Sequence, residues 1–274
     1  MKQILFELFL QLTGVGSASG LVYDHGNLYL ISDNSTSLYR YDLRQKQLDA
    51  IAIDAVPAAN LGKPVKPDFE AIAINDGKLY AIGSGSTPKR QRMAVVNLRT
   101  NDFSMADLST FYAKLKKTAQ LSDDQFNLEG LVFAESGVLL FQRGNGSRLA
   151  NGVFVADGLD ADADVCYHRV ELPAIGGVPS SFTDATLADG RLFVLASAEA
   201  SNSTYLDGDV SGSLIAELDP TTFELKTHLV LPGTKKFEGI ACAKQTGKKI
   251  SFYLCEDADS NVLQSEIHRL DVKF

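Results

Sequence analysis

The sequence predicts an all-β chain folded as a five-bladed β-propeller, and three observations predict it. A short element with a polar residue at its second position recurs five times. Each copy runs into a tight turn and a second apolar strand. The last copy lacks an outer strand, while a spare strand stands ahead of the first. Self-similarity at a period of roughly 40–50 residues plus a loop is what a propeller blade produces, because each blade is one four-stranded unit that needs its neighbours to bury its faces.

The five copies are Ala18-Ser19-Gly20-Leu21-Val22-Tyr23, Phe69-Glu70-Ala71-Ile72-Ala73-Ile74, Leu128-Glu129-Gly130-Leu131-Val132-Phe133, Phe182-Thr183-Asp184-Ala185-Thr186-Leu187 and Phe237-Glu238-Gly239-Ile240-Ala241-Cys242. Their second residues, Ser19, Glu70, Glu129, Thr183 and Glu238, are separated by 51, 59, 54 and 55 positions. The turns that follow end in Gly26-Asn27, Gly77, Gly137, Gly190 and Gly247, and glycine tolerates the positive φ of tight hairpins. Second strands are predicted over Leu28–Ser32, Leu79–Gly83, Val138–Gln142, Leu192–Ser197 and Ile250–Glu256. Third strands follow over Leu38–Leu43, Met93–Leu98, Gly152–Ala156, Leu214–Leu218 and Ile267–Val272. Outer strands are legible over Leu48–Ile53, Cys166–Leu172 and Glu224–Leu231.

The fifth blade ends without an outer strand at Phe274, and Ile4–Leu12 reads as the strand that completes it and closes the ring. Its competitor is a secretory leader, since Lys2 precedes an apolar stretch and Ser17-Ala18-Ser19 resembles a cleavage site. Glu7 stands inside that stretch, where a leader avoids charge, so the strand is preferred. Asp107–Ala119 is the one helical pattern, with Asp107 or Ser109 as N-cap and Phe111, Tyr112 and Leu115 as its apolar side. No domain boundary is visible, and residues 1–274 are expected to form a single domain.

Net charge is −8 and the pI about 5.0. An acidic chain is a poor match for nucleic acid, which demands a Lys/Arg surplus. No apolar run approaches the roughly 20 residues of a membrane helix, so no membrane partner is expected. Cys166, Cys242 and Cys255 form no C-x-x-C motif. Three sparse cysteines fit small buried side chains in a reducing compartment, so a cytoplasmic location is expected over a periplasmic or secreted one, with a Cys242–Cys255 disulfide as the lesser alternative.

The first strand of a blade is the innermost, so equivalent residues stand at one height along the central channel. Ser19, Glu70, Glu129, Thr183 and Glu238 are therefore expected to form a ring, and three facing carboxylates call for a cation. Hard oxygen donors suit Ca²⁺, and the absence of His and Cys from the set argues against zinc. Without a cation, the same residues would simply line a solvated channel.

Loops after the second strands open on the ring side. They carry Asp33-Asn34, the stretch from Ser84 to Arg92, Arg143 to Arg148, Glu199 with Asp207 and Asp209, and Asp257 with Asp259. Asp33, Ser84 and Arg143 each stand fourteen residues beyond a ring position. From this set Asp33, Arg143, Glu199 and Asp257 are candidate catalytic residues, and Lys89, Arg90 and Arg143 candidate binders of a small anion. The aspartate runs at 160–164 and 207–209 lack the rest of a calcium-loop pattern, and the four histidines are scattered.

The series Ser19-Gly20-Leu21-Val22, Phe69-Glu70-Ala71-Ile72, Leu128-Glu129-Gly130, Ser181-Phe182-Thr183 and Phe237-Glu238-Gly239-Ile240 resembles the calcium-activated nucleotidases, or soluble apyrases. Gly26-Asn27-Leu28-Tyr29-Leu30-Ile31-Ser32-Asp33 resembles a further segment of that family. Phytase-like and SdiA-regulated propellers share the Glu-Gly element. The resemblance implies a central Ca²⁺ held by Ser19, Glu70, Glu129, Thr183 and Glu238, with threonine where the nucleotidases have a second serine. It implies nucleotide hydrolysis less well, since those enzymes carry tryptophan and this chain has none.

Three functions follow from the ring. One is a calcium-dependent hydrolase of phosphate esters or phosphoanhydrides. Another is a non-catalytic propeller with a structural Ca²⁺ and a ligand- or protein-binding loop face. The third is a calcium-dependent lactone or ester hydrolase.

Overall fold

The structure, a computed structural model, describes residues 1–144, 151–200, 208–257 and 262–274. Strand β1 (Lys2–Thr13) precedes the first blade, which comprises β2 (Ala18–Asp24), β3 (Asn27–Ser32), β4 (Ser37–Asp42) and β5 (Gln47–Ala52). The second blade is β6 (Phe69–Asn75), β7 (Lys78–Gly83), β8 (Arg92–Asn97) and β9 (Phe103–Asp107). Helix α1 (Ser109–Ala119) then leads to β10 (Leu128–Ala134), β11 (Gly137–Gln142), β12 (Gly152–Ala156) and β13 (Val165–Arg169). The fourth blade holds β14 (Ser180–Ala188), β15 (Arg191–Glu199), β16 (Val210–Leu218) and β17 (Leu225–Val230). The fifth holds β18 (Phe237–Thr246), β19 (Lys249–Glu256) and β20 (Gln264–Lys273), with β1 as its outer strand. The inner strands β2, β6, β10, β14 and β18 neighbour one another in that order and β18 returns to β2, so the five antiparallel sheets close a ring.

Ring closure follows the sequence expectation. β1 pairs antiparallel with β20 from Lys2–Lys273 to Thr13–Gln264. Three inner hairpins turn on a non-glycine residue followed by glycine, both at positive φ: His25-Gly26, Asp76-Gly77 and Asp189-Gly190. That is the geometry a two-residue hairpin needs to match strand twist. One outer strand was not foreseen. β9 overlaps the predicted start of the helix, because Asp107 ends the strand and its carboxylate accepts the Ser109 N–H at 2.7 Å. The N-cap position belongs to Leu108 rather than Asp107 or Ser109.

Apolar packing lies between blades rather than within them. Five buried clusters each draw on two adjacent blades, the last joining the fifth blade and β1 to the first. Helix α1 buries Phe111, Tyr112 and Leu115 between the second and third blades. The three cysteines are free, with Cys255 buried and Cys166 exposed. No helix among the described residues is long and apolar enough to cross a membrane.

Candidate functional site

Each ring residue sits on an irregularity of its strand. The register of inner strand against second strand skips one residue at Ser19, Glu70, Glu129, Thr183 and Glu238 in turn. A bulged residue leaves the ladder unpaired and is re-aimed, which is how an inner strand turns a side chain toward the axis. The position after each bulge is tightly packed. A Cβ on Gly239 would come 2.7 Å from the Leu21 backbone nitrogen, so glycine there lets the fifth blade approach the first. In the fourth blade that position is Asp184, whose carboxylate accepts the Ala185 N–H at 2.7 Å and the Ile240 N–H at 2.8 Å.

The two ring hydroxyls lock adjacent blades. Ser19 Oγ donates to the Phe69 carbonyl at 2.5 Å, and Thr183 Oγ1 donates to the Phe237 carbonyl at 2.8 Å. Each bonds the residue preceding a ring glutamate of the next blade.

A second tier of side chains surrounds the ring. In four blades the N–H beyond the second strand bonds the carbonyl two residues before the ring position. These pairs are Asp33–Ser17, Ser84–Asp68, Arg143–Asn127 and Asp257–Lys236. In the fourth blade Ser197 pairs with Ser181. The equivalence found at an offset of fourteen is therefore real, and it extends to Asp257 at a longer offset. Arg148, Asp207 and Asp259 lie outside the described residues.

The tier supplies the site's own cations. Arg143 Nη1 is 3.2 Å from Glu129 Oε1 and 3.8 Å from Glu238 Oε1, and its Nη2 is 2.7 Å from Glu199 Oε2. One guanidinium thus links the third, fourth and fifth blades. Lys236 Nζ stands 2.9 Å from Glu238 Oε1 and 3.9 Å from both Glu199 and Asp257. Across the channel Lys66 Nζ bonds Asp33 Oδ2 and lies 2.9 Å from Asp68 Oδ1. Arg90 Nη1 lies 2.8 Å from Asp68 Oδ2, to which Ser84 Oγ also donates. Asp68 holds a left-handed φ of 57° while buried, a conformation costly for a non-glycine residue.

These contacts change the roles expected for two residues. Arg90 is buried and committed to Asp68, Ser86 and the Lys63 carbonyl. Lys89 is exposed on the short 3₁₀ turn Pro88–Arg90, so it stands apart from the buried cluster.

Negative charge remains in excess. Among the described residues seven carboxylates gather here (Asp33, Asp68, Glu70, Glu129, Glu199, Glu238, Asp257) against four cations (Lys66, Arg90, Arg143, Lys236). Burial pushes the Glu70 carboxyl well above its ordinary range; Asp68 and Glu129 add to this and Lys66 opposes it. Glu129 is also raised by burial, with Arg143 opposing and Glu238 adding. Asp33 is raised by burial against the pull of Lys66. Burial alone would lower Lys66, yet Glu70, Asp68 and Asp33 outweigh it and hold the ammonium charged.

Two observations bear on a metal. Oxygens of Asp33, Asp68 and Glu70 lie within 4.8 Å of one another. Glu129 Oε2 and Asp33 Oδ1 are buried with no hydrogen-bond partner. An all-oxygen set carrying surplus charge and unpartnered lone pairs fits a hard divalent cation. The residues at fault with a simple five-membered ring are Glu129 and Glu238, each already facing Arg143 or Lys236.

The opposite mouth of the channel is different. Val22, Ile72, Ile74, Val132, Phe133, Leu187 and Cys242 contribute to a bowl of about 320 Å³. Asp24 also lines this bowl, so the end opposite the cluster is less charged rather than free of charge.

This fold and site define a five-bladed β-propeller with a buried, net-acidic axial cluster at one mouth. Within that class the chain belongs to a family described as "Family of unknown function (DUF6929)", which matches residues 14–272. Comparison with curated proteins finds no match. Among solved structures, the Malassezia sympodialis allergen Mala s 1 is similar at 12% identity and a TM-score of 0.56, covering 95% of this chain and 96% of that one. Myxococcus xanthus glutaminyl cyclase is similar at 11% identity and 0.54, covering 98% and 97%. A luciferin-regenerating enzyme is similar at 12% identity and 0.51, covering 97% and 94%. At such identities the likeness shows the fold alone. None of the three is a nucleotidase or phytase, so the resemblance to calcium-activated nucleotidases rests on the ring motif.

Proposed function

We propose that this chain is a calcium-dependent hydrolase of phosphate esters or phosphoanhydrides, acting at the axial cluster. The observation that carries the reading is the gathering of Asp33, Asp68 and Glu70 oxygens within 4.8 Å in a buried site with surplus carboxylates. Glu70, Asp33 and Asp68 would hold the ion, with Glu129 Oε2 and the lone pairs of Ser19 and Thr183 as further oxygens. A bound Ca²⁺ supplies Lewis acidity toward a phosphoryl oxygen. Arg143 and Lys236 place positive charge beside it, where an anionic substrate gains most from a water-poor environment.

A second reading, a non-catalytic propeller with a structural Ca²⁺, is favoured by one specific fact. Both terminal nitrogens of Arg143 already face carboxylates of the protein. Phosphate release from nucleotides and sugar phosphates, measured with Ca²⁺ and with EDTA, separates the two. Calcium-dependent release that is lost in Glu129→Gln supports the hydrolase. Calcium binding without release from any of these substrates supports the structural ion.

A further inference from the structure

We propose that Lys66 is the resident occupant of the cation site and that a divalent cation enters by displacing it. The inference rests on the reading of the axial cluster as a cation site, and concerns how that site is regulated.

The oxygens that Lys66 uses are those a metal needs. Its ammonium bonds Asp33 Oδ2 and sits 2.9 Å from Asp68 Oδ1, two of the three residues whose oxygens converge with Glu70. The second oxygen of Asp33 is buried and unpartnered. On the adjacent third blade the 97%-buried Glu129 side chain keeps a free Oε2. An ammonium and a Ca²⁺ a few ångströms apart repel strongly in a buried site, so the cluster takes one or the other.

Lys66 is also the cation placed to leave. Arg143 follows the end of β11, and Lys236 directly precedes β18. Lys66 instead rides on the connection between β5 and β6, beside Val65, which is 61% exposed. Its backbone N–H bonds only the local Gly62 carbonyl, so withdrawal breaks no sheet ladder. Arg90 stays on the other oxygen of Asp68 throughout, holding that carboxylate in place.

Calcium titration by calorimetry on the wild type, Lys66→Met and Lys66→Gln tests the competition. Removing the ammonium is expected to tighten calcium binding by about tenfold or more. The chain has no tryptophan, so Val65→Trp gives a single reporter that keeps Lys66. Its emission is expected to shift on adding Ca²⁺ and to stay constant in Val65→Trp combined with Glu70→Gln. Wild-type binding with unchanged or weaker affinity in both Lys66 variants would overturn the displacement while leaving the cation site standing. A silent Val65→Trp reporter in a protein that binds calcium would overturn it equally. Absence of calcium binding by the wild type would overturn both.

Discussion

Arg143 Nη1 lies 3.2 Å from Glu129 Oε1, joining a residue at the end of a second strand to the bulged residue of the inner strand beside it. The same guanidinium reaches Glu199 at 2.7 Å, so one buried side chain spans two blades with near-contact hydrogen bonds. Removing one partner of such a network is costly, because the remaining charges stay buried. Arg143→Met is expected to destabilise the protein by about 3–5 kcal/mol in urea unfolding. Arg143→Lys recovers only part of this, since a point charge cannot serve two carboxylates in the guanidinium's fork geometry.

Asp184 bridges the fourth and fifth blades through the Ala185 and Ile240 N–H groups. Burial raises its carboxyl well above the usual range. The two donors reach different carboxyl oxygens, so the amide of Asp184→Asn can accept from only one of them and orphans the other at a cost of about 1–3 kcal/mol, whereas Asp184→Ala orphans both buried N–H groups and costs more. Denaturant midpoints of the two variants check the contrast.

Ring closure depends on β1. Phe6 meets Phe237 edge-on at 5.9 Å between ring centroids and stacks on His268 at 5.3 Å. Because Phe6 is only partly buried, Phe6→Ala is expected to cost about 2 kcal/mol, below the 3–5 typical of a fully buried phenylalanine. Differential scanning calorimetry reads this as a lower Tm.

Asp271 gives the pH dependence of the closing sheet. Burial alone would raise its carboxyl, but hydrogen bonds from Lys249, Ser251 and Arg269 outweigh it and hold the group down at about 2. A depressed folded value means the unfolded chain binds more protons in this range. The stabilisation is therefore full above about pH 4 and lost as pH falls toward 2. Discounted for the exposure of Lys249 and Arg269, it amounts to about 1–2 kcal/mol. Asp271→Asn should be less stable than wild type by this amount at pH 6, with the difference shrinking as pH falls through 2.

Much of the architecture was legible because it repeats. The ring positions announce themselves through a polar residue that is followed in four of the five copies by glycine or alanine and then an apolar residue, with Asp184 as the exception. The turn glycines fall at positive φ as the hairpins require. Position Asp68 repeats equally well in space but not in type: its counterparts are Ser17, Asn127, Ser181 and Lys236. A pattern search keyed to residue class passes over them. Lys66 has no counterpart in other blades, since it stands on a connection, and only the folded chain brings it to Asp33. Arg90 and Arg143 were recognised as charged loop residues near the ring. Their partners, which turn them inward as counter-ions, depend on distances between blades that sequence spacing does not encode.

The central claim is that Glu70 and its neighbours bind one calcium ion on the propeller axis. Equilibrium dialysis against ⁴⁵Ca²⁺, comparing wild type with Glu70→Gln, measures it without reference to any substrate. The account predicts one ion bound per wild-type chain and little or none in the variant. Equal retention by the two proteins, or none by either, would contradict it.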